Sequence, residues 1–256
     1  MKKSLTFTSV CLAAASLFSQ VASAHYIWIE RDAKAGSQTA RLYFGEVAEV
    51  REQSPGRMDD IKGPKAWAVS NSIAAELNVK RTQHYFAITG ALTPQLVATE
   101  AGHEVKDWSS SGIGIVKPMY YARHSAWPLK QAIAPAKELK LDVQPVAGSK
   151  DSFVVLFDGM PLPRAKAVIY APNDWEKEYK TDDKGQLKMA LPWKGQYAIE
   201  VIYKEPADGE FEGKKFDAYR HRAILTVVQL LGISPKGTGS GASGKGMMAD
   251  TMPAAK

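Results

Sequence analysis

Cysteine is nearly absent from this sequence: the 256 residues include a single one, Cys11. A chain with one cysteine forms no intramolecular disulfide, so the packing of apolar side chains must stabilise the fold. From residue 25 onward there is no cysteine at all. This excludes a cysteine nucleophile and a thiolate metal site from that part of the chain.

Signatures of catalysis and of nucleic-acid binding are also missing. The sequence has no G-x-S-x-G elbow, no P-loop, no G-x-G-x-x-G after a predicted strand and no H-E-x-x-H. No basic run in the body of the chain is longer than two residues, as at Lys214-Lys215, which is too short for a nucleic-acid footprint. We therefore predict a protein that binds no nucleic acid, and any chemistry must be sought among its histidines and carboxylates.

One long apolar stretch, Leu5–Phe18, follows two lysines and precedes Val21-Ala22-Ser23-Ala24. This order predicts a signal peptide over 1–24 and export to the periplasm through the Sec pathway. The residues before Cys11 do not fit a lipidation site, which favours soluble export. Cleavage would remove two lysines and no acid, lowering the formal net charge from +6 to +4. No second run of about eighteen apolar residues follows, so we expect no membrane span after cleavage.

Beyond the predicted leader, apolar residues alternate with period two in short bursts divided by Gly, Pro, Asn and Asp. This pattern is typical of antiparallel β proteins. It predicts an all-β fold of two tandem sandwich modules, immunoglobulin- or transthyretin-like, over 25–147 and 148–231, with no sheet continuous across 143–152. The predicted strands are Tyr26–Glu30, Ala40–Gly45, Ala66–Ser70, Tyr85–Thr89, Gln95–Thr99, Ile115–Ala122, Leu139–Val143, Ser152–Asp158, Lys166–Ala171, Glu176–Thr181, Gln186–Ala190, Gly195–Tyr203 and Tyr219–Gln229.

The second predicted module has recognisable turns. A tight hairpin is predicted at Thr181-Asp182-Asp183-Lys184-Gly185, and Pro192-Trp193-Lys194-Gly195-Gln196-Tyr197 leads into the next strand. This arrangement resembles the transthyretin-like or carboxypeptidase-regulatory type of sandwich. The resemblance implies a seven-stranded module of about one hundred residues that acts as a spacer, an adaptor or a binding platform.

Residues 232–256 are rich in Gly, Ser, Thr and Lys. No core can be built from this composition, so we predict a disordered tail. Met247, Met248 and Met252 lie near its end. Thioether sulfurs favour Cu(I), so the tail either holds Cu(I) or carries these methionines by chance.

Three of the five histidines are candidate metal ligands. His25 would become the first residue of the mature chain and would offer both its imidazole and its α-amino group. His221 alternates onto the apolar face of its predicted strand, as a ligand or as a hydrogen-bonded core residue. His124 lies at the end of another predicted strand, where it either completes a site or faces solvent.

For the remaining candidates we expect surface positions. His84 stands at a strand start and His103 in a loop after a glycine. Glu46 and Glu49 lie on a turn after a predicted strand. Either of these carboxylates could add an oxygen ligand, and the alternative is that both are solvated acids.

Several segments, taken in their order, resemble a periplasmic family of domains of unknown function described as a nickel or cobalt uptake component. The resemblance covers residues 24 to about 230. It implies an exported, non-enzymatic metal-handling protein of two β-sandwich modules, with His25 as a ligand and with a metal transporter or an outer-membrane receptor as partner. The matching segments are Ala24-His25-Tyr26-Ile27-Trp28-Ile29-Glu30, Tyr43–Glu46, Ser54–Arg57 with Asp59, Tyr120–Arg123, Pro161–Tyr197 and Arg220–Thr226.

The sequence departs from this family at two points. Many members have Gly-His where this chain has Gly45-Glu46, and nickel carriers that use a free N-terminus commonly have histidine at the second or third mature position. A histidine at the first position favours a copper brace, formed by the α-amine and Nδ1 of His25 with a second imidazole. We predict His221 as that imidazole, with His124 in reserve, and copper, nickel or cobalt as the metal ion.

Three classes of function compete at this point. The first is the binding and delivery of a transition metal in the periplasm. The second is a copper-dependent polysaccharide oxidase, which would need a flat aromatic face that this sequence does not show. The third is a structural or adhesive sandwich without metal. The resemblance makes metal binding the leading hypothesis, and the metal content of the purified protein distinguishes it from the third class.

Overall fold

The structure, a computed structural model, describes residues 25–31, 39–47, 49–70 and 73–235. Within these ranges the chain forms β-strands, loops and two short 3-10 helices, and no α-helix. The prediction of an all-β antiparallel sandwich fold is confirmed. The predicted signal peptide and the predicted tail beyond residue 235 lie outside the described residues. No helix in the described ranges is long and apolar enough to span a membrane.

The first half of the described chain contributes the shorter strands, together with 3-10 helices at Arg57–Asp60 and Ser109–Ser111. The strands are β1 (Tyr26–Arg31), β2 (Thr39–Gly45), β3 (Lys65–Ser70), β4 (Ile73–Arg81), β5 (Phe86–Thr89), β6 (Leu96–Glu100), β7 (Lys106–Trp108) and β8 (Gly114–Ser125). The sequence pattern did not predict β4 or β7.

The second half ends in the two longest strands. The strands are β9 (Leu141–Pro145), β10 (Ser152–Phe157), β11 (Met160–Pro161), β12 (Lys166–Tyr170), β13 (Glu176–Lys180), β14 (Gln186–Lys188), β15 (Gly195–Phe211) and β16 (Lys214–Gln229).

Strands β15 and β16 form one long hairpin that turns at Glu212 and Gly213. Both turn residues have positive φ angles, 50° and 76°, as the favoured two-residue hairpin turns require. The hairpin extends well beyond the predicted segments, because Pro206 and Gly209 resemble loop residues in the sequence. In the structure the register shifts between these two residues, and pairing continues on both sides of the irregularity.

Twelve strands form one sheet in the order β1-β2-β5-β4-β3-β6-β8-β16-β15-β12-β13, with β7 beside β8. Strands β9, β10, β11 and β14 form a second sheet. Because β8 and β16 pair in parallel, from Val116 opposite Ala218 to Ser125 opposite Val227, the large sheet includes strands from both predicted modules. The expectation that no sheet crosses residues 143–152 is therefore wrong.

The middle of the large sheet is buried on both faces. Ala223 and Leu225 of β16 pack toward β9 and β10, whereas Ile224 packs toward β1. Neighbouring residues of a strand point to opposite faces, so one strand supplies two cores. The nearly unbroken apolar run from Ala223 to Val228 is typical of a strand buried on both sides. The chain thus forms three layers rather than two separate modules. The middle layer is the central sheet, which both cores share.

Candidate metal centre

His25 directly precedes β1, and the antiparallel pairing of β1 with β2 brings the end of β2 beside it. Tyr26 lies opposite Gly45. Gly45 has a φ angle of 136°, which is strained for any residue that carries a side chain, and here the chain leaves β2. Glu46 therefore follows next to His25. The loop then returns, because the N–H of Glu52 donates to the carbonyl of Phe44 at 3.1 Å.

Two carboxylates flank the imidazole of His25. Oε1 of Glu52 lies 2.5 Å from Nε2 of His25, and Oε1 of Glu46 lies 3.8 Å from Nδ1. The ring of Phe44 packs against the imidazole with a centroid separation of 5.5 Å. All three polar side chains are mostly buried but reach solvent. The two ring nitrogens thus face two different acids.

The hydrogen bond to Glu52 determines the tautomer of the imidazole. A carboxylate only accepts hydrogen bonds, and Glu52 at 2.5 Å is closer to Nε2 than the guanidinium of Arg57 at 3.1 Å, which can only donate. We therefore assign the hydrogen to Nε2, which donates it to Glu52. Nδ1 is then the nitrogen directed toward Glu46. Nη1 of Arg57 lies 3.1 Å from Nε2 and 3.9 Å from Oε1 of Glu52. The guanidinium therefore places a positive charge on the Glu52 side of the ring.

Buried side chains beneath His25 hold its backbone. Nη1 of Arg222, on β16, donates to the carbonyl of His25 at 3.5 Å, and Arg222 forms a buried ion pair with Glu200 of β15. The guanidinium also lies 4.4 Å from the centroid of the Tyr26 ring. Because the hydroxyl of Tyr26 accepts the N–H of Val47 at 2.9 Å, the same group of residues positions the loop that carries Glu46.

His221 does not reach this site. Its neighbour Arg222 faces His25, and successive strand residues point to opposite faces, so His221 lies on the other side of the central sheet. There its Nδ1 is 2.9 Å from the hydroxyl of Tyr121 and its Nε2 is 2.8 Å from Glu205. Burial lowers the pKa of His221, against the opposite effect of Glu205. This placement corrects the predicted brace of His25 and His221.

His124 also lies away from His25, at the opposite end of β1. Its Nδ1 is 3.2 Å from Oγ1 of Thr226, whose hydroxyl donates to the carbonyl of Ile29 at 2.6 Å. Ile29 is four residues along β1 from His25, a distance of about 13 Å in an extended strand. Burial, with a smaller effect of Arg31, lowers the pKa of His124 to about 4. The structure thus makes His124 a neutral core residue rather than a reserve ligand.

The other two histidines differ from each other. His84 is exposed, as predicted. His103 was expected at the surface but is buried, because the loop that carries it folds its ring against Tyr120 at a centroid distance of 5.5 Å. Burial lowers the pKa of His103. Glu49 is exposed, so of the two predicted carboxylates only Glu46 is recorded beside His25.

No group of three or more His, Cys, Asp or Glu side chains in the described part of the chain is arranged to hold a metal ion. The site at His25 consists of one imidazole and two acids, and the predicted leader cleavage would add the α-amino group as a further donor. Comparisons with protein-family models, curated proteins and solved structures give no match to this chain. The resemblance to nickel and cobalt uptake components therefore remains a prediction.

Sequence reasoning missed two residues that contact His25 and one that supports it. Glu52 and Arg57 approach the ring through a loop whose return path has no periodic signal, and Arg222 approaches through the pairing of distant strands. Only Glu46 had a usable signal. It follows directly after a predicted strand that could pair with the strand beginning at Tyr26.

Proposed function

We propose that the mature protein binds a transition-metal ion at its N-terminus and serves metal uptake or delivery in the periplasm. The donors are the α-amino nitrogen of His25, its Nδ1 and the carboxylate of Glu46. The main support for this proposal is that one carboxylate lies beside each ring nitrogen of His25. Glu52 lies at Nε2 and Glu46 at Nδ1. No catalytic step is part of the proposal.

The separation of Nδ1 and Oε1 of Glu46 suits a shared ion. Metal–nitrogen and metal–oxygen bonds in proteins measure about 2.0 to 2.2 Å. Two donors 3.8 Å apart can therefore bind one ion lying between them. The amine of the same residue closes a chelate ring with Nδ1, so a single residue fixes two of the three donors.

Glu52 then has a supporting role. Histidines that bind a metal through one nitrogen almost always donate the other N–H to a carboxylate, a carbonyl or water, which fixes the ring and raises its basicity. Glu52 accepts the Nε2–H of His25 at 2.5 Å and so meets this requirement. The residue belongs to the site without binding the ion.

The donor set favours copper. Two nitrogens and a carboxylate oxygen, without sulfur, suit the tetragonal geometry of Cu(II) or Ni(II). Among divalent ions Cu(II) binds such donors most tightly, so we expect copper to bind more strongly than nickel or cobalt. An exported protein that presents this site would pass its ion to a transporter or receptor, which is the partner class that we propose.

The proposal is tested by changing the two ends of the chelate separately. Mature protein beginning at His25 should bind one Cu(II) ion, measured by calorimetric titration, whereas protein that retains Ala24 should bind far more weakly because its amine has become an amide. Glu46→Gln should weaken binding and Glu49→Gln, in the same loop, should not. Equal Cu(II) affinity in the mature protein, the Ala24-retaining protein and both glutamate variants would overturn the proposal.

A further inference from the structure

A second chain of polar contacts lies on the other side of the central sheet, around His221. Tyr121 of β8 and His221 of β16 are both buried, with 4% and 1% of their surface exposed. Nδ1 of His221 is 2.9 Å from the Tyr121 hydroxyl, and Nε2 is 2.8 Å from Glu205. Nζ of Lys140 contacts both oxygens of Glu205 at 2.8 Å. This series of polar contacts thus runs from a buried phenol to a partly exposed ion pair.

The direction of the hydrogen bonds follows from the charges. Burial tends to raise the pKa of Glu205, but hydrogen bonds from Lys140 and His221 outweigh this effect and lower it. Glu205 is therefore a carboxylate, which only accepts, so Nε2 of His221 carries the hydrogen. Nδ1 is then the acceptor, and the hydroxyl of Tyr121 donates to it. The phenol has an imidazole base in direct contact.

Aromatic rings surround this imidazole. The rings of Phe157 and Tyr219 have centroids 5.3 and 5.9 Å from that of His221, and Tyr203 lies at 6.5 Å. Burial raises the pKa of Tyr121, and the charge of Glu205 adds to the effect. The phenol therefore releases its proton only when one electron is removed from the ring at the same time. The adjacent imidazole is the group that can accept the proton.

We propose that Tyr121 is a site of one-electron oxidation in which His221 accepts the phenol proton. The electron leaves the phenol for a one-electron oxidant of the metal-complex class, such as tris(bipyridine)ruthenium(III), which becomes ruthenium(II), and the proton moves from the hydroxyl to Nδ1 of His221. The products are a neutral phenoxyl radical, an imidazolium held by the Glu205 carboxylate, and the reduced oxidant. Return of one electron restores the phenol, and the proton moves back. The buried position shields the radical from solvent.

The buried Tyr197 and Tyr26 and the partly buried Tyr170 lack this combination. The hydroxyls of Tyr197 and Tyr26 accept backbone N–H groups at 2.8 and 2.9 Å, and within the described residues neither hydroxyl is hydrogen-bonded to an imidazole or a carboxylate. Tyr170 donates to Glu200 at 2.9 Å. That carboxylate is already the ion-pair partner of Arg222. Tyr197 is therefore a matched control, because it is an equally buried phenol without a base.

The test is photo-oxidation of the mature protein by flash-generated tris(bipyridine)ruthenium(III), with the radical detected by electron paramagnetic resonance after rapid freezing. We expect a long-lived tyrosyl signal that Tyr121→Phe abolishes and Tyr197→Phe leaves unchanged. His221→Gln should keep both hydrogen bonds but slow formation of the radical roughly 100-fold or more, the usual contribution of a positioned base.

An undiminished signal in Tyr121→Phe, or unchanged kinetics in His221→Gln, would overturn the proposal. Circular dichroism establishes that each variant is folded. If Tyr121→Phe does not fold, His221→Gln provides the test alone. Because neither residue contacts the site at His25, these measurements are made without added metal and are independent of the proposed function.

Discussion

The two acids beside His25 act on different atoms and so have different consequences. Glu46 faces Nδ1, the nitrogen that would bind the ion, whereas Glu52 accepts the hydrogen of Nε2. A ligand and an orienting group can be separated by mutation, because loss of the first removes a donor and loss of the second only loosens the ring.

At the residue scale we predict that Glu52→Gln lowers the Cu(II) affinity of the mature protein by about 10-fold to 100-fold, as is typical for an orienting carboxylate. The ligand set should not change, so the shape of the copper spectrum should persist. Competition titration with a chelator of known affinity measures the effect. Glu49→Gln is the control, and an equal loss in both variants would mean that only the charge of the loop matters.

At the element scale, β1 is an edge strand of the large sheet whose backbone is partly satisfied by side chains of β16. The hydroxyl of Thr226 donates to the carbonyl of Ile29 at 2.6 Å, and Arg222 donates to the carbonyl of His25 at 3.5 Å. These contacts attach the strand that carries His25 to the central sheet. The proposed metal site therefore depends on a strand from the far end of the chain.

We predict that Thr226→Val lowers the free energy of unfolding by about 1 to 3 kcal/mol, because the buried carbonyl of Ile29 loses its donor while the side-chain volume stays the same. Thr226→Ser keeps the hydroxyl and should preserve this hydrogen bond, at the cost of one methyl group. Urea denaturation followed by tryptophan fluorescence gives both values. A valine variant as stable as the wild type would show that the hydrogen bond contributes nothing net.

The sequence predicted elements better than it predicted their pairing. Period-two alternation located most strands, including β10, β12 and β16, because each buries at least one face. It stopped β15 too early, since Pro206 and Gly209 are turn residues in most contexts. It also could not show that β16 pairs with β8, because a parallel pairing of segments about one hundred residues apart leaves no local signal.

The same limit explains the site. His25 was identified from the predicted cleavage position, and Glu46 from its place after a strand. The error lay in joining His25 to His221 and His124. Strand parity placed His221 on an inward face and left His124 open between a site and solvent, but the central sheet has two inward faces. Which of these two faces β1 covers depends on how the layers stack, and the sequence does not show this.

At the scale of the whole molecule, the shared sheet joins both cores into one structure in which several histidines are buried as neutral groups. Burial and Arg31 lower the pKa of His124 to about 4, compared with about 6.5 in the unfolded chain. At a pH between these two pKa values, His124 is protonated in the unfolded state and neutral in the folded state. His124 therefore reduces stability as the pH falls through this window, and has no effect above it.

We predict that the wild-type protein loses up to about 3 kcal/mol of stability between pH 6.5 and 4 through His124 alone. His124→Gln should remove that part of the pH dependence, since its amide can still contact Thr226 and does not titrate. Urea unfolding at a series of pH values compares the two proteins. Parallel curves for both would show that His124 titrates normally in the folded protein.

The most direct test of the proposed metal centre is pulsed electron paramagnetic resonance of the mature protein after addition of Cu(II). The site at His25 predicts modulation from the remote nitrogen of a single imidazole, together with one directly bound amine nitrogen. Selective ¹⁵N labelling of histidine should shift both couplings, because both nitrogens belong to His25. Modulation from two imidazoles, or a spectrum that His25→Ala leaves unchanged, would contradict the account.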